Sequence, residues 1–200
     1  MSMDGPPPPI GTFENVSSGG THSCGVTTTG SVECWGNDED GQATPPTDTF
    51  ESVSAGAFHT CGVTTTGSVE CWGSDLGEGL STPPTDTFKS VSAGTWHTCG
   101  LTTAGRTRCW GDMEWADFFW EGYPPTGSFE SMSMSDAHAC GITTSGSVEC
   151  WGELDWAGGP PPGSFESVSA GGLHTCGIQP TGNVECWGND EQGQSTPPEL

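Results

Sequence analysis

The side chains best suited to form disulfides, bind metals or carry out catalysis are those of ten cysteines and five histidines. They follow one fixed pattern in the sequence. The cysteines form five pairs, a histidine stands two residues before the first cysteine of each pair, and Trp-Gly follows the second. Thiols at such spacing can form disulfides or, together with a histidine, ligate zinc. The pairs are Cys24–Cys34, Cys61–Cys71, Cys99–Cys109, Cys140–Cys150 and Cys176–Cys186.

The surroundings of each pair favour a disulfide. Segments 24–27 and 31–34 predict two antiparallel strands joined at Thr-Thr-Gly, with the glycine as the left-handed residue of the turn. In that hairpin Cys24 faces Cys34, and directly opposed Cα atoms lie about 4.5–5.5 Å apart, within reach of a disulfide. The same alternation puts His22 on the cysteine face, so zinc stays open as an alternative, although the close C-x2-C pairs of zinc sites are lacking.

The cysteine pair belongs to a longer repeat that begins at a phenylalanine. A strand pattern such as Phe50–Gly56 comes first, then the histidine and the hairpin, and finally a variable loop and a Pro-Pro segment. Each repeat therefore predicts three strands, and no stretch has the period of a helix. The predicted organisation is a proline-rich lead over 1–12 and five repeats over 13–49, 50–87, 88–128, 129–164 and 165–200.

Composition limits the class of function. The chain has 3 Lys and Arg against 26 Asp and Glu, a formal net charge of −23, which repels nucleic acid and anionic membranes. The sequence contains neither a signal peptide nor a membrane-spanning segment, whereas ten paired cysteines are typical of an oxidising compartment. We therefore expect an extracellular or cell-surface protein whose export signal is absent from this sequence, with no nucleic-acid partner and no membrane insertion.

Two strings that recur within the repeats carry a family resemblance. Ser-Ala-Gly-x-x-His-Thr-Cys-Gly-Val, followed by Val-Glu-Cys-Trp-Gly-Asn-Asp-x-x-Gly-Gln, resembles the regulator-of-chromosome-condensation repeat, most closely its cysteine-bearing bacterial and archaeal versions, over residues 13–198. The resemblance implies an all-β fold, a β-propeller, here with five short, mainly three-stranded blades that each carry a disulfide within the hairpin. Known members commonly have seven blades, so the five repeats either close a ring or form an open array that a neighbouring subunit completes head to tail.

Functional residues are expected where the repeats differ from one another. Strand directions put the loop before each histidine and the loop after each Trp-Gly at the same end of the molecule, and in repeats three and four aromatic and acidic residues replace the family turn. Clustered exposed aromatics mark interfaces, although the long third loop could instead bury its aromatics in a mini-core. The predicted partner-binding residues are Phe58, Trp96, Trp115, Asp117, Phe118, Phe119, Trp120, Tyr123 and Trp156.

Other chemistry has weaker support. Carboxylates beside a glycine turn, at Asp38, Asp40 and Asp190, suit calcium, although the full EF-hand loop is lacking; no other cofactor is indicated. Each histidine recurs at one position of every repeat, which favours a structural role. No nucleophile–base pair, P-loop or dinucleotide motif appears, so we expect no catalytic residues and no enzymatic activity.

The function predicted from these patterns is a non-enzymatic extracellular binding scaffold that engages a protein partner through an acidic, aromatic loop face. Two alternatives stay open: a self-assembling structural protein of a filament or surface layer, and a carbohydrate-binding lectin. A lectin would be expected to have one site per repeat, whereas the aromatics concentrate in repeats two to four. The exchange activity of the nuclear family member is not expected, because the chain has no basic tail.

Overall fold

The computed structural model of the protein describes residues 9–75, 79–111, 124–135 and 137–197, and in them the chain forms five three-stranded antiparallel sheets. Sheet 1 contains β1 (Phe13–Ser18), β2 (His22–Thr27) and β3 (Val32–Gly36). Sheet 2 contains β4 (Phe50–Ala55), β5 (His59–Thr64) and β6 (Val69–Gly73). Sheet 3 contains β7 (Phe88–Ala93), β8 (His97–Thr102) and β9 (Thr107–Gly111). Sheet 4 contains β10 (Phe129–Met134), β11 (His138–Thr143) and β12 (Val148–Gly152), and sheet 5 contains β13 (Ser167–Ala170), β14 (His174–Ile178) and β15 (Val184–Gly188).

The hairpins of sheets 1, 2, 4 and 5 have the predicted register. In sheet 1, Cys24 faces Cys34 and Val26 faces Val32, and sheets 2, 4 and 5 repeat this pairing. All ten cysteines form the five expected disulfides, with Cα atoms 4.0–4.1 Å apart, and none is free. The disulfide interpretation is therefore confirmed, and the zinc alternative is left without thiolate ligands.

A bulge near the start of the first strand explains why a glycine follows each first cysteine. In sheet 2, Phe50 pairs with Thr64 and the next pair is Ser52 with Val63, so one extra residue lies between them. The ring of Phe50 then lies directly over Gly62, where a Cβ atom would be 2.6 Å from Phe50 Cδ1. Only glycine leaves room for this ring.

Each sheet has two faces with different chemistry. In sheets 1, 2, 4 and 5 the disulfide face carries the two cysteines and two aliphatic residues, which are Cys24, Cys34, Val26 and Val32 in sheet 1; in sheet 3, Thr107 replaces one of the aliphatic residues. The Phe–Trp face carries a phenylalanine, an aliphatic residue and a tryptophan. In sheet 2 these are Phe50, Val53 and Trp72, with the two ring centroids 5.8 Å apart.

The core lies between neighbouring sheets, where a disulfide face meets a Phe–Trp face. Sheet 1 packs on sheet 2 in this way, sheet 2 packs on sheet 3, and sheet 4 packs on sheet 5. The core is therefore a series of thin layers between neighbouring sheets. Burial of each large apolar side chain in these layers contributes about 1.5–3 kcal/mol.

The chain divides into two compact units, the first with sheets 1 to 3 and the second with sheets 4 and 5. The second unit also contains α1 (Leu154–Ala157), a single helical turn that the sequence pattern does not predict. Glu153 caps this turn by accepting a hydrogen bond from Asp155 N, and Gly158 ends it. Among the helices of the described residues, none has the length and apolar character needed to cross a membrane.

Candidate functional site

In sheets 1, 2, 4 and 5, the loop before the histidine and the loop after Trp-Gly are joined at one end of the sheet. The carbonyl of the residue before the histidine accepts a hydrogen bond from the first backbone N–H after Trp-Gly. We call these paired loops, together with the loop before His97 in sheet 3, the loop rim. Its bonds run from Asn37 N to Thr21 O (2.9 Å), Ser74 N to Phe58 O (3.0 Å), Glu153 N to Ala137 O (3.0 Å) and Asn189 N to Leu173 O (2.9 Å).

Two of the predicted partner-binding residues form an exposed aromatic pair on the rim of the first unit. Phe58 from sheet 2 and Trp96 from sheet 3 have ring centroids 5.5 Å apart and planes inclined by 42°. Their exposed fractions are 37% and 44%. A hydrogen bond of 3.2 Å from Ala57 N to Gly94 O ties the two supporting loops together. The pair is therefore an exposed apolar surface held by ordered backbone.

A third predicted residue, Trp156, lies in the second unit. It stands on α1 and is 61% exposed. The short helix and its cap hold the indole outward, so it has the exposure expected of a binding residue. The other six predicted partner-binding residues lie outside the described residues: Trp115, Asp117, Phe118, Phe119, Trp120 and Tyr123.

The acidic loops of repeats one and five share one geometry. Asp38 accepts hydrogen bonds from Ala43 N (2.8 Å) and Thr44 Oγ1 (2.7 Å), so its carboxylate closes its own loop. Asp190 accepts the equivalent bonds from Ser195 N (2.8 Å) and Thr196 Oγ1 (2.7 Å). The Thr196 hydroxyl, followed by the Ser195 amide, lowers the pKa of Asp190 below its usual value.

These loops bear on the calcium prediction. In the ranges that the structure describes, no three His, Cys, Asp or Glu side chains converge to hold a metal ion. The carboxylates of Asp38 and Asp190 are already engaged as loop caps, while Asp40 donates its backbone N–H to Gln42 Oε1. Calcium binding stays a prediction for solution measurement.

The histidines bridge neighbouring sheets. His22 Nε2 lies 2.7 Å from Thr60 Oγ1, and the equivalent distances are 2.6 Å from His59 to Thr98 and 2.7 Å from His138 to Thr175. In the first pair Thr60 Oγ1 donates its proton to Gln42 O at 3.0 Å. The Thr60 oxygen must therefore accept from His22, which assigns the Nε2–H tautomer to that ring.

Burial keeps these histidines neutral. Desolvation, followed by the neighbouring His97 and His22, lowers the pKa of His59 to about 4. Desolvation also lowers the pKa of His138 to about 4, with His174 as a smaller contributor, and both side chains are 0% exposed. Neutral, inaccessible imidazoles with fixed hydrogen bonds hold the sheets together, and they are closed to substrates.

Sequence reasoning missed the partner of each histidine. The available signal was the threonine directly after the histidine, present in repeats two, three and five as Thr60, Thr98 and Thr175. Its hydroxyl contacts the histidine of the preceding sheet, more than thirty residues away in the chain. Local pattern alone contains no information about that distance.

Comparison with known proteins was made on this geometry. The family model for the regulator of chromosome condensation (RCC1) repeat matches residues 13–42, 50–76, 88–114 and 165–194, more than half of the chain. The fourth repeat is not in that match, although it folds into the same three-stranded sheet. No significant match was found among curated proteins.

Several solved structures share the fold. The ectodomain of the receptor kinase CR4 from Physcomitrella patens matches with a TM-score of 0.75 and 28% identity, over 88% of this chain and 50% of that one. The CRINKLY WD40 ectodomain of the Arabidopsis thaliana receptor kinase ACR4 matches with a TM-score of 0.71 and 27% identity, over 90% and 66%. Prp20p from Saccharomyces cerevisiae, a protein with described binding to Gsp1p and histones, matches in fold with a TM-score of 0.71 and 15% identity, over 88% and 58%.

The chain spans between half and two thirds of the length of these structures. Their likeness confirms the β-propeller prediction, with each sheet corresponding to one blade.

Proposed function

Because this chain belongs to the regulator of chromosome condensation (RCC1) repeat family, we propose that it is a non-enzymatic extracellular scaffold whose loop rim binds a basic protein segment. The observation that carries the proposal is the exposed pair of Phe58 and Trp96. Large aromatic side chains are the residues that most often dominate protein interfaces. Here they stand on the loops in which the repeats diverge, whereas the repeated residues form the scaffold.

The compartment is supported by the disulfides and by the relatives. All ten cysteines are paired, and disulfide-rich small sheets are typical of oxidising compartments. Two structures that share more than a quarter of their aligned residues with this chain are ectodomains of plant receptor kinases. Both features favour an extracellular scaffold.

The net negative charge of the chain favours a cationic partner. A net charge of −23 attracts cationic segments over a Debye length of about 10 Å at 0.1 M salt. An arginine guanidinium can stack on the face of Trp96 and gain about 0.5–2 kcal/mol from the ring quadrupole. We therefore propose an arginine-rich segment as the ligand, with Phe58 and Trp96 as its aromatic contacts and the acidic field increasing its rate of encounter.

The test uses fluorescent peptides of equal length, one arginine-rich, one lysine-rich and one acidic, in anisotropy titrations. We expect the arginine-rich peptide to bind most tightly, Trp96→Ser to weaken it at least tenfold, about 1.4 kcal/mol, and added salt to weaken it further. Ile10→Ser is the matched control, because Ile10 is a fully exposed apolar residue of the lead segment before β1 and is not part of the loop rim.

Melting temperatures separate a binding role of the two rings from a structural one. Unchanged melting of Phe58→Ser and Trp96→Ser with lost binding supports the proposal. A large loss of melting temperature would show that these rings stabilise the fold. Equal peptide binding by the wild type and by a double variant that combines Phe58→Ser with Trp96→Ser would refute the site. Binding to a glycan array that Trp96→Ser abolishes would support the lectin alternative instead.

A further inference from the structure

The disulfide face of sheet 5 differs from its counterparts in exposure although its residue types are the same. Ile178 and Val184 are 43% and 45% exposed. The corresponding residues of sheet 1, Val26 and Val32, are 0% and 7% exposed, because sheet 2 covers them. In sheet 4 the equivalent Ile142 is 2% exposed beneath sheet 5. Among the described residues, no other sheet covers this face of sheet 5 as its counterparts are covered.

The opposite kind of face is exposed on sheet 1. Val16 is 64% exposed, whereas its counterpart Val53 in sheet 2 is 5% exposed. Phe13 and Trp35 are only partly buried and contact each other edge to face, with centroids 6.2 Å apart. This is a Phe–Trp face of the type that covers a disulfide face between sheets 1 and 2, 2 and 3, and 4 and 5.

The two exposed faces are chemically complementary, because a disulfide face and a Phe–Trp face meet at each of the three internal interfaces. We infer that the disulfide face of sheet 5 binds the Phe–Trp face of sheet 1 in a second copy of this chain, head to tail. The contact continues the interface that the chain already uses three times, so its partner is defined by the repeat itself. This inference does not depend on the rim-binding function, because it uses different residues.

Hydrogen bonds that backbone N–H groups donate across the internal interfaces predict two bonds of the proposed interface between copies. Between sheets 1 and 2, Ala55 N donates to Ser17 Oγ at 3.0 Å, and Ala170 N donates to Ser133 Oγ at the same distance between sheets 4 and 5. The equivalent hydroxyl of sheet 5 belongs to Ser169, which can accept from the backbone N–H of residue 18 in the second copy. Likewise, Phe50 N donates to Gly30 O at 2.8 Å between sheets 1 and 2. The equivalent carbonyl of sheet 5, Gly182 O, can therefore accept from the backbone N–H of Phe13 in the second copy.

The histidine bridge supplies a third bond. His22, His59 and His138 each contact the hydroxyl that follows the histidine of the next sheet. His174 of sheet 5 is partly exposed, and the corresponding hydroxyl on sheet 1 is that of Ser23. A serine keeps the oxygen that the histidine requires, so sheet 1 retains the polar part of the interface as well as the apolar part.

Salt dependence distinguishes this contact from the proposed rim binding. Two chains of net charge −23 repel each other, so screening should strengthen their association. A rise in salt concentration should instead weaken the binding of a cationic peptide to the rim. Opposite salt responses allow either proposal to fail alone.

The test is the mass of the intact chain in solution, from light scattering at about 1–100 µM protein and about 0.5 M salt, where association follows mass action. We expect masses that rise with concentration in multiples of 20.7 kDa. Ile178→Glu and Val16→Glu should each weaken association at least tenfold. A mixture of these two variants should form dimers and nothing larger, because each retains one intact face.

Ile10→Ser is the control for nonspecific apolar association, since Ile10 is a more exposed apolar residue than Ile178, and its counterpart Thr47 stays exposed where sheet 2 packs on sheet 1; the variant should associate like wild type. Circular dichroism checks that each variant folds. A monomer at every concentration would overturn the inference, as would association that Ile178→Glu leaves unchanged. A monomer in which both Glu variants lower the melting temperature would show that the two faces meet within one chain, which also overturns it.

Discussion

At the scale of single residues, the histidine bridge shows how a polar group can stabilise a buried interface. His59 is completely buried, and its Nε2 lies 2.6 Å from the Thr98 hydroxyl of the next sheet. Such a bond contributes only about 1 kcal/mol, but an unpaired buried partner would cost about 1–3 kcal/mol. The interface therefore requires both the histidine and the threonine, and it requires the imidazole to be neutral.

Neutrality makes stability depend on pH. The pKa of His59 is lowered to about 4 in the folded state, mainly by burial, against about 6.5 when the chain is unfolded. Between these values the unfolded state binds a proton that the folded state does not, so stability decreases as pH falls from about 6.5 to 4. We expect chemical denaturation to show this loss in the wild type.

The control for that prediction is His59→Gln, which keeps a side-chain N–H near Thr98 and does not titrate. Its stability should change less over the same pH range. Carboxylates titrate in both proteins, so the difference between the two curves isolates the histidine. Parallel curves would contradict the prediction.

The contact between Phe50 and Gly62 leads to a second prediction. A Cβ atom at residue 62 would lie 2.6 Å from Phe50 Cδ1, so Gly62→Ala should cost about 1–3 kcal/mol through overpacking. Gly172→Ala is the control, because nothing lies within 4 Å of a Cβ there. Urea denaturation of both variants measures the difference, and equal losses would contradict the packing argument.

At the scale of the structural element, the disulfide hairpin is the unit that recurs in every repeat. The same ten-residue separation closes every hairpin, so the chain-entropy contribution of each disulfide is the same, about 2.5–3 kcal/mol. What differs is burial. Cys61 is 0% exposed beneath sheet 3, whereas Cys176 of sheet 5 is partly exposed.

This difference predicts unequal effects of removing two identical bridges. The double variant Cys61→Ala/Cys71→Ala should lose more stability than Cys176→Ala/Cys186→Ala, because the first also removes packed sulfur atoms from a buried layer. The comparison is made by thermal denaturation at a concentration where the chain is monomeric. Equal losses would show that loop closure alone accounts for the stabilisation.

At the scale of the whole molecule, the charge of −23 opposes compaction. Self-repulsion within the folded chain should be screened as ionic strength rises. We expect an increase from about 0.05 to 0.5 M sodium chloride to stabilise the fold by on the order of 1 kcal/mol, or about 2–4 °C in melting temperature. A matched series with an uncharged osmolyte controls for nonspecific stabilisation, and a flat response to salt would contradict the prediction.

Calcium can be tested in the same assay. At equal ionic strength, calcium should raise the melting temperature more than magnesium if the loops at Asp38 and Asp190 bind it. Replacing both residues with Asn is the control. Equal shifts with the two ions would contradict calcium binding.

The sequence alone determined the hairpin and its disulfide. Cys24 faces Cys34 because strand alternation and a short turn act within a dozen residues, and such local rules operate wherever the segment lies. Repetition of the same string also indicated an array of three-stranded sheets. The rim position of Phe58 followed from strand direction, but its contact with Trp96 depends on the adjacency of two sheets.

Only the tertiary structure decided which copies of the pattern are covered. Ile142 and Ile178 occupy the same position in their repeats, yet one is 2% exposed and the other 43%. The pairing of His22 with Thr60 likewise depends on which sheet lies next to which. The physical reason is that burial and sheet-to-sheet hydrogen bonds depend on a neighbour distant in the chain, whereas a strand, its turn and its disulfide depend on residues close in sequence.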